Sequence, residues 1–289
     1  MTANKKNFIK FVVVAAACLT LTAWIAWHNS ALEMNTYTVC SSELPEGFDG
    51  YRIAHVSDLH NAEMGEGNEK LLDMLRDAKP DMIAITGDLI DSRHTNFAVA
   101  WKFIEEAVKI APCYYVTGNH ESRVDAYWEL KEDMEAVGVV VLEDARIQLT
   151  QGNDTIMLLG VNDPSFDRKE VIRLEEDIIN EKMIELHANK KGYTVLLIHR
   201  PELFDIYVKY DVELALSGHM HGGQFRLPFV GGLASGDGLF PEYDAGLYTK
   251  DDTTMIVSRG IGNSLFPFRF NNPPELLLIE LKHENPEQS

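Results

Sequence analysis

Five short clusters of potential metal ligands, in a fixed order along one stretch of chain, constrain this sequence more than any other feature in it. They are Asp58-Leu59-His60, Gly87-Asp88, Gly118-Asn119-His120-Glu121, His199 and Gly218-His219-Met220-His221. Four of them directly follow an apolar run: Ile53 to Ser57, Met82 to Thr86, Tyr114 to Thr117, and Val195 to Ile198. Runs of that length, bounded by Gly, Asp or Asn, fit buried strands of an α/β sheet. Ligands of such sheets gather at the carboxyl ends of the strands. The scattered motifs are therefore expected to converge.

The converging set holds two Asp carboxylates, one Asn amide and five imidazoles. One tetrahedral site needs four ligands at most, and a catalytic one three plus water. The surplus suits two divalent metals roughly 3.5–4 Å apart that share a carboxylate. Mixed nitrogen and oxygen donors suit manganese, iron, zinc or cobalt. No cysteine lies in the motifs, which argues against a thiolate or iron–sulfur site. Two metals can each hold a phosphate oxygen and generate hydroxide at neutral pH, the equipment of phosphoester hydrolysis.

The blocks D-x-H, G-D, G-N-H-D/E, H and G-H-x-H, all present in order over about residues 50–282, resemble the calcineurin-like metallophosphoesterase superfamily. By position, the resemblance implies Asp58, His60, Asp88 and His221 on one metal and Asp88, Asn119, His199 and His219 on the other, with Asp88 as the bridge. It implies in-line attack of metal-bound hydroxide on phosphorus. His120 would act on the leaving group, and Glu121 would orient His120. A narrower likeness runs through His221-Gly222-Gly223-Gln224-Phe225-Arg226-Leu227-Pro228, Ser258-Arg259-Gly260-Ile261-Gly262-Asn263 and Asn272-Pro273-Pro274-Glu275-Leu276. It is similar to the membrane-associated phosphodiesterase branch typified by YkuE and YaeI, which implies a phosphodiester or pyrophosphate substrate. The UDP-diacylglucosamine hydrolases lie near that branch, so a lipid-linked sugar or nucleotide diphosphate is the alternative; a non-catalytic binding protein on the same fold is a third reading. Asn61, Arg200 and Arg259 are candidate phosphate contacts, Arg for its bidentate geometry; a structural ion pair is the competing role for each arginine. His55, within a strand, reads as a core residue.

An uncharged apolar run from Phe11 to Trp27 follows Lys5, Lys6 and Lys10. It is long enough to span a bilayer, with the basic end in the cytoplasm and the rest outside. The expectation is a single-pass membrane protein whose catalytic domain faces the extracytoplasmic side. A cleaved signal peptide, giving a secreted form, is the rival. Residues 1–30 are then the anchor, 31–49 a linker, 50–282 the enzyme domain and 283–289 a polar tail. The net charge of −19 leaves no basic face for nucleic acid. It does not exclude a phosphate substrate, because bound metals supply local positive charge. Cys40 and Cys113 could pair outside the cytoplasm.

Amphipathic stretches at 67–78, 97–110 and 127–137 alternate with the motif strands as βαβ units. Residues 139–142, 147–149 and 156–159 read as an antiparallel series, and 169–189 as a long charged helix. The pattern predicts an α/β (α+β) fold. The resemblance implies a four-layer α/β/β/α sandwich of two mixed sheets, preceded by one N-terminal transmembrane helix.

Overall fold

In the computed structural model, which describes residues 3–167, 173–188, 190–264 and 266–284, every strand that carries a ligand is buried on both faces. The chain opens with α1 (Ala3–Ser30), β1 (Glu33–Ser41) and β2 (Arg52–Val56). Alternating units follow: α2 (Glu69–Ala78), β3 (Met82–Thr86), α3 (Phe97–Ala107), β4 (Cys113–Val116), α4 (Tyr127–Ala136) and β5 (Val140–Val141). Next come the hairpin β6 (Ala145–Gln151) and β7 (Asp154–Gly160), α5 (Glu175–Leu186), β8 (Thr194–Leu197), α6 (Phe204–Lys209) and β9 (Leu214–Ser217). Two small ribbons, β10 (Arg226–Leu227) with β11 (Gly231–Gly232) and β12 (Ala234–Ser235) with β13 (Gly238–Leu239), precede β14 (Gly246–Lys250), β15 (Thr253–Val257) and β16 (Glu275–His283).

The strands form two six-stranded mixed sheets, β1-β16-β2-β3-β4-β5 and β14-β15-β9-β8-β7-β6. Their inner faces meet in a dry layer that includes Ile53, Ala84, Val116, Val195, Leu197, Leu216 and Ile279. Helices α2, α3 and α4 cover the outer face of the first sheet through Leu71, Phe103 and Leu130. Helices α5 and α6 cover the second through Ile179, Met183 and Phe204. This is the expected four-layer sandwich. Burial of each such aliphatic or aromatic side chain is worth about 1.5–3 kcal/mol, and a strand with sheet on one side and helix on the other must be apolar on both faces. β2, β3 and β4 are parallel to one another, as are β8 and β9, so the loops after all five open at one edge.

The structure differs from the sequence reading at several places. The stretch read as a linker, 31–49, contains β1, which runs parallel to the last strand over its full nine residues. Only Ala31 and Leu32 separate it from α1. β5 does not join an antiparallel series with β6 and β7; it closes the first sheet, parallel to β4, and the chain then crosses to the second. The long charged helix covers Glu175–Leu186; residues 168–172 and 189 of that stretch lie outside the described residues. His283 ends β16 instead of starting a tail, and 285–289 also lie outside the description. All three cysteines are free: Cys113 is buried in β4, whereas Cys40 is exposed on β1. Helix α1 is long and apolar enough to cross a membrane, with a mean hydropathy of 2.1.

Candidate metal centre

The ligand-bearing loops are short, so the backbone must turn at once where each strand stops. Asp58, His60, Asp88, His219 and His221 all take positive φ, between 45° and 70°. For residues with a Cβ this conformation costs about 1–2 kcal/mol each, and it persists where surrounding bonds over-determine it. Those bonds are present. Asp58 and His60 N–H donate to the Gly87 and Asp88 carbonyls at 3.1 and 2.9 Å. His120 N–H donates to Asp88 Oδ1 at 2.8 Å, and His219 N–H to Asp58 Oδ2 at 3.0 Å. The glycines before the ligands let the loops approach this closely. A Cβ on Gly218 would lie 1.9 Å from Ser57 Oγ, and one on Gly118 would lie 2.2 Å from Asp88 Oδ1.

Two clusters result. In one, His221 Nε2 lies 3.3 Å from Asp58 Oδ1 and 3.0 Å from His60 Nε2. In the other, His199 Nε2 lies 3.3 Å from Asp88 Oδ2 and 3.1 Å from His219 Nδ1. Asp88 Oδ2 is also 3.4 Å from His60 Nε2, so this one carboxylate joins the two clusters. Asn119 borders the same cavity, and its Oδ1 is buried without a protein partner. A buried acceptor left unpaired costs about 1–3 kcal/mol. Imidazole nitrogens about 3 Å apart can share a proton or, with both lone pairs turned inward beside carboxylates, hold a cation about 2 Å from each. The donors fit divalent metal ions.

The partners behind the ligands set which nitrogen faces inward. His199 Nδ1 must donate to the Thr86 carbonyl, 2.7 Å away, which turns its Nε2 toward Asp88. His219 turns Nε2 toward Asp237 Oδ2 at 2.8 Å and Nδ1 toward His199. Such outer carboxylates and carbonyls hold metal-ligating imidazoles in place. Burial raises the carboxyl of Asp88, but His199 and its hydrogen bond prevail and hold it well below the usual range. Burial likewise disfavours charge on His199, yet Asp88 and then Asp58 lift it to about 10. The cluster attracts positive charge.

His120 stands beside this centre on the cavity wall. Its Nδ1 accepts the backbone N–H of Ser92 at 3.0 Å, with Asp91 Oδ1 3.6 Å away. Burial pushes its imidazole down to about 4, against the pull of Asp88. Neutral, with Nδ1 occupied as acceptor, the ring carries its proton on Nε2. Glu121, expected to orient His120, does something else. Its carboxylate accepts N–H groups from Asp88 at 2.9 Å, Gly118 at 2.8 Å and Ile90 at 3.3 Å. It stitches two ligand loops together, because its side chain runs back under the turn; burial, then the charge of Asp88, pushes it up to about 7.

Of the expected phosphate contacts, Arg200 lines the cavity, held by Asp163 at 2.6 Å and with Nη1 3.0 Å from His219 Nε2. Arg259 does not reach the cavity; it pairs with Glu275 at 2.8 Å and Glu33 at 3.1 Å, because β1 and β16 bring those carboxylates beside it. Asn61 turns to the His94 carbonyl at 2.8 Å, also off the cavity wall. Sequence reasoning missed Asp91, Ser92, Asp163, Asp237 and the cavity-lining Arg93 and Arg123. Asp91, three residues after Asp88, carried a faint signal; the others lie in loops without periodicity. The cavity encloses about 270 Å³.

The calcineurin-like phosphoesterase family model matches residues 51–223. The chain belongs to this family. Its phosphoesterase relatives include an uncharacterised Bacillus subtilis metallophosphoesterase, YkuE, 30% identical over 98% of this chain and 99% of that one. The Escherichia coli phosphodiesterase YaeI is 26% identical over 80% of this chain and 82% of its own. Among solved structures, Thermus thermophilus TT1561 superposes with a TM-score of 0.52 at 14% identity, covering 73% of this chain and 90% of that one, a likeness of fold. As a calcineurin-like phosphoesterase, this chain is a metal-dependent hydrolase of phosphoesters.

Proposed function

We propose that the enzyme is a membrane-anchored phosphodiesterase or pyrophosphatase with two divalent metals (manganese, iron, zinc or cobalt), its domain on the extracytoplasmic side. The observation that carries the two-metal reading is the position of Asp88 Oδ2, 3.4 Å from His60 and 3.3 Å from His199. Asp58, His60, Asp88 and His221 would hold one ion; Asp88, Asn119, His199 and His219 would hold the other. When bound, the metals polarise the phosphoryl oxygens and activate water as the nucleophile. His120 donates a hydrogen bond from its Nε2–H to the ester oxygen that leaves as the P–O bond breaks, stabilising the charge there while water supplies the proton. Arg200, fixed by Asp163, offers its guanidinium to a phosphoryl oxygen. Arg93 and Arg123 on the same wall give room and charge for a second substituent on phosphorus, which favours a diester or diphosphate over a monoester. The uncharged run Phe11 to Trp27 of α1, which follows Lys5, Lys6 and Lys10 in the same helix, supports the anchored topology.

The test is full-length protein loaded with manganese, assayed on bis-p-nitrophenyl phosphate and p-nitrophenyl phosphate. The diester should be cleaved faster. Asp88→Asn should remove nearly all turnover, and His120→Ala should lower kcat by about 10²–10⁴-fold. Turnover that survives Asp88→Asn would overturn the bridging role.

A further inference from the structure

This chain carries 45 acidic residues in 289, yet His221 to Gly236 and Arg259 to Pro274 contain none. The two stretches touch. The Phe225 ring packs on Phe266 and Phe268 with centroids 4.9 and 5.4 Å apart. Arg226 N–H donates to the Phe270 carbonyl, and Gln224 Nε2 to that of Phe268, each at 3.0 Å. What they turn outward is apolar. Phe229, at the tip of the β10–β11 ribbon with φ of 68°, is fully exposed, and Val230 beside it is 57% exposed. Leu239 and Phe240 stand out from the next ribbon, whose Phe240 N–H is tied to the Leu233 carbonyl at 3.0 Å. Exposed large apolar side chains on two neighbouring ribbons, joined through Leu233, are what an interaction site presents.

The occupant follows from where α1 ends. Asn29 donates to the Arg269 carbonyl at 2.9 Å and accepts the Arg269 N–H at 2.7 Å. Trp24 stands edge-on to Phe270 with centroids 5.1 Å apart. Trp24, Ile25, His28 and Asn29 are half-buried against the domain, while nearly all earlier residues of the helix are exposed. The apolar helix thus leaves the protein at the border of the apolar face. The same face flanks the cavity: His221 opens the first stretch, Ser264 lies in the second, and Gly236 and Asp237 line the cavity between the two ribbons and the metal centre.

We propose that this face docks on the lipid bilayer that α1 enters, with Phe229 and Phe240 seated at the boundary of headgroups and acyl chains and the cavity mouth at the headgroup layer. The inference rests on the membrane-anchored phosphoesterase reading and assigns it phosphoesters presented at the membrane surface. His221 to Gly236 and Arg259 to Pro274 bring no carboxylate to the interface, where a buried one would be costly; Asp237 and Glu242 flank Leu239 and Phe240, so that ribbon seats only its two apolar side chains. Amphipathic faces seat about 5–10 Å into this layer.

The experiment uses the full chain reconstituted in phosphatidylcholine vesicles whose acyl chains carry bromine near the headgroup end. Phe229→Trp, Phe240→Trp and Val140→Trp are compared after subtracting the parent's own tryptophan emission; Val140 is exposed on β5, at the other edge of the first sheet from β1. The added emission at 229 and 240 should be blue-shifted and quenched, and that at 140 unchanged. Quenching at 229 and 240 no greater than at 140 overturns the docking face. Turnover of soluble bis-p-nitrophenyl phosphate is read separately. Active enzyme without quenching sinks the docking face alone. Quenching without turnover on that diester supports docking and counts against the hydrolase reading.

Discussion

At the scale of single residues, small contacts decide the chemistry. Asp163 is not itself one of the proposed metal ligands, yet it holds the Arg200 guanidinium at 2.6 Å from its fully buried carboxylate. Burial raises the Asp163 carboxyl, but Arg200 prevails and holds it at about 2. Asp163→Asn should loosen the arginine and raise KM for the diester roughly tenfold with kcat little changed, the pattern of lost uniform binding; bound metal is measured alongside, because Arg200 Nη1 also lies 3.0 Å from His219 Nε2. A drop in kcat with unchanged KM would show that Arg200 acts only in the transition state. His55 yields a second prediction. It is fully buried in β2, hydrogen-bonded to Thr86 at 2.7 Å, and burial pushes its imidazole down to about 3. The unfolded chain takes up a proton near 6.5 while the folded chain refuses it until about 3. Stability contributed by neutral His55 is therefore whole above the unfolded value and is lost as pH falls toward the folded one, at about 1.4 kcal/mol per unit. Urea unfolding of metal-free protein at pH 6 and pH 4 should show a smaller loss for His55→Gln than for the wild type; equal losses would remove His55 from the acid response.

At the scale of elements, each ligand loop depends on the strand before it and on a glycine that admits the neighbouring loop. Gly218→Ala would place a Cβ 1.9 Å from Ser57 Oγ, so the β9 loop must move. His219 and His221 ride on that loop, and bound metal measured by mass spectrometry should fall below the wild-type content per chain, with the fold retained by circular dichroism. Full metal content would show that the loop yields at no cost to the centre. The strands at the heart of both sheets were legible because each is an uninterrupted apolar run closed by a ligand, a pattern only a strand with both faces covered requires. β1 was not. Its residues alternate Asn, Thr, Tyr and Thr, mostly exposed, and its partner β16 lies some 240 positions later, as the Asn35–Glu275 bond shows. β5 was seen but misassigned, since two valines cannot declare which sheet they close. In the site, the ligands and His120 could be read from motif order. Asp163 and Asp237 could not, because a carboxylate in an irregular loop has no spacing to betray it, and Glu121 was given a neighbour's task that Ser92 and Asp91 perform.

At the scale of the molecule, an acidic domain is joined to an apolar helix with lysines at its start. Cell fractionation should leave the full chain in the membrane after alkaline carbonate washing, and added protease should reach the domain in intact cells. Release by carbonate would show that α1 does not span the bilayer. The join between helix and domain carries a further consequence. Only Ala31 and Leu32 stand between the end of α1 and the start of β1, and β1 is paired along its whole length. The enzyme has no leash. With α1 held in a bilayer, it could not swing out to sample the surrounding fluid or turn its catalytic edge away. Anchored as proposed, the enzyme would search for substrate by motion in a plane, at a fixed height and a fixed heading, and lateral diffusion within the sheet of lipids would set how fast it meets a target.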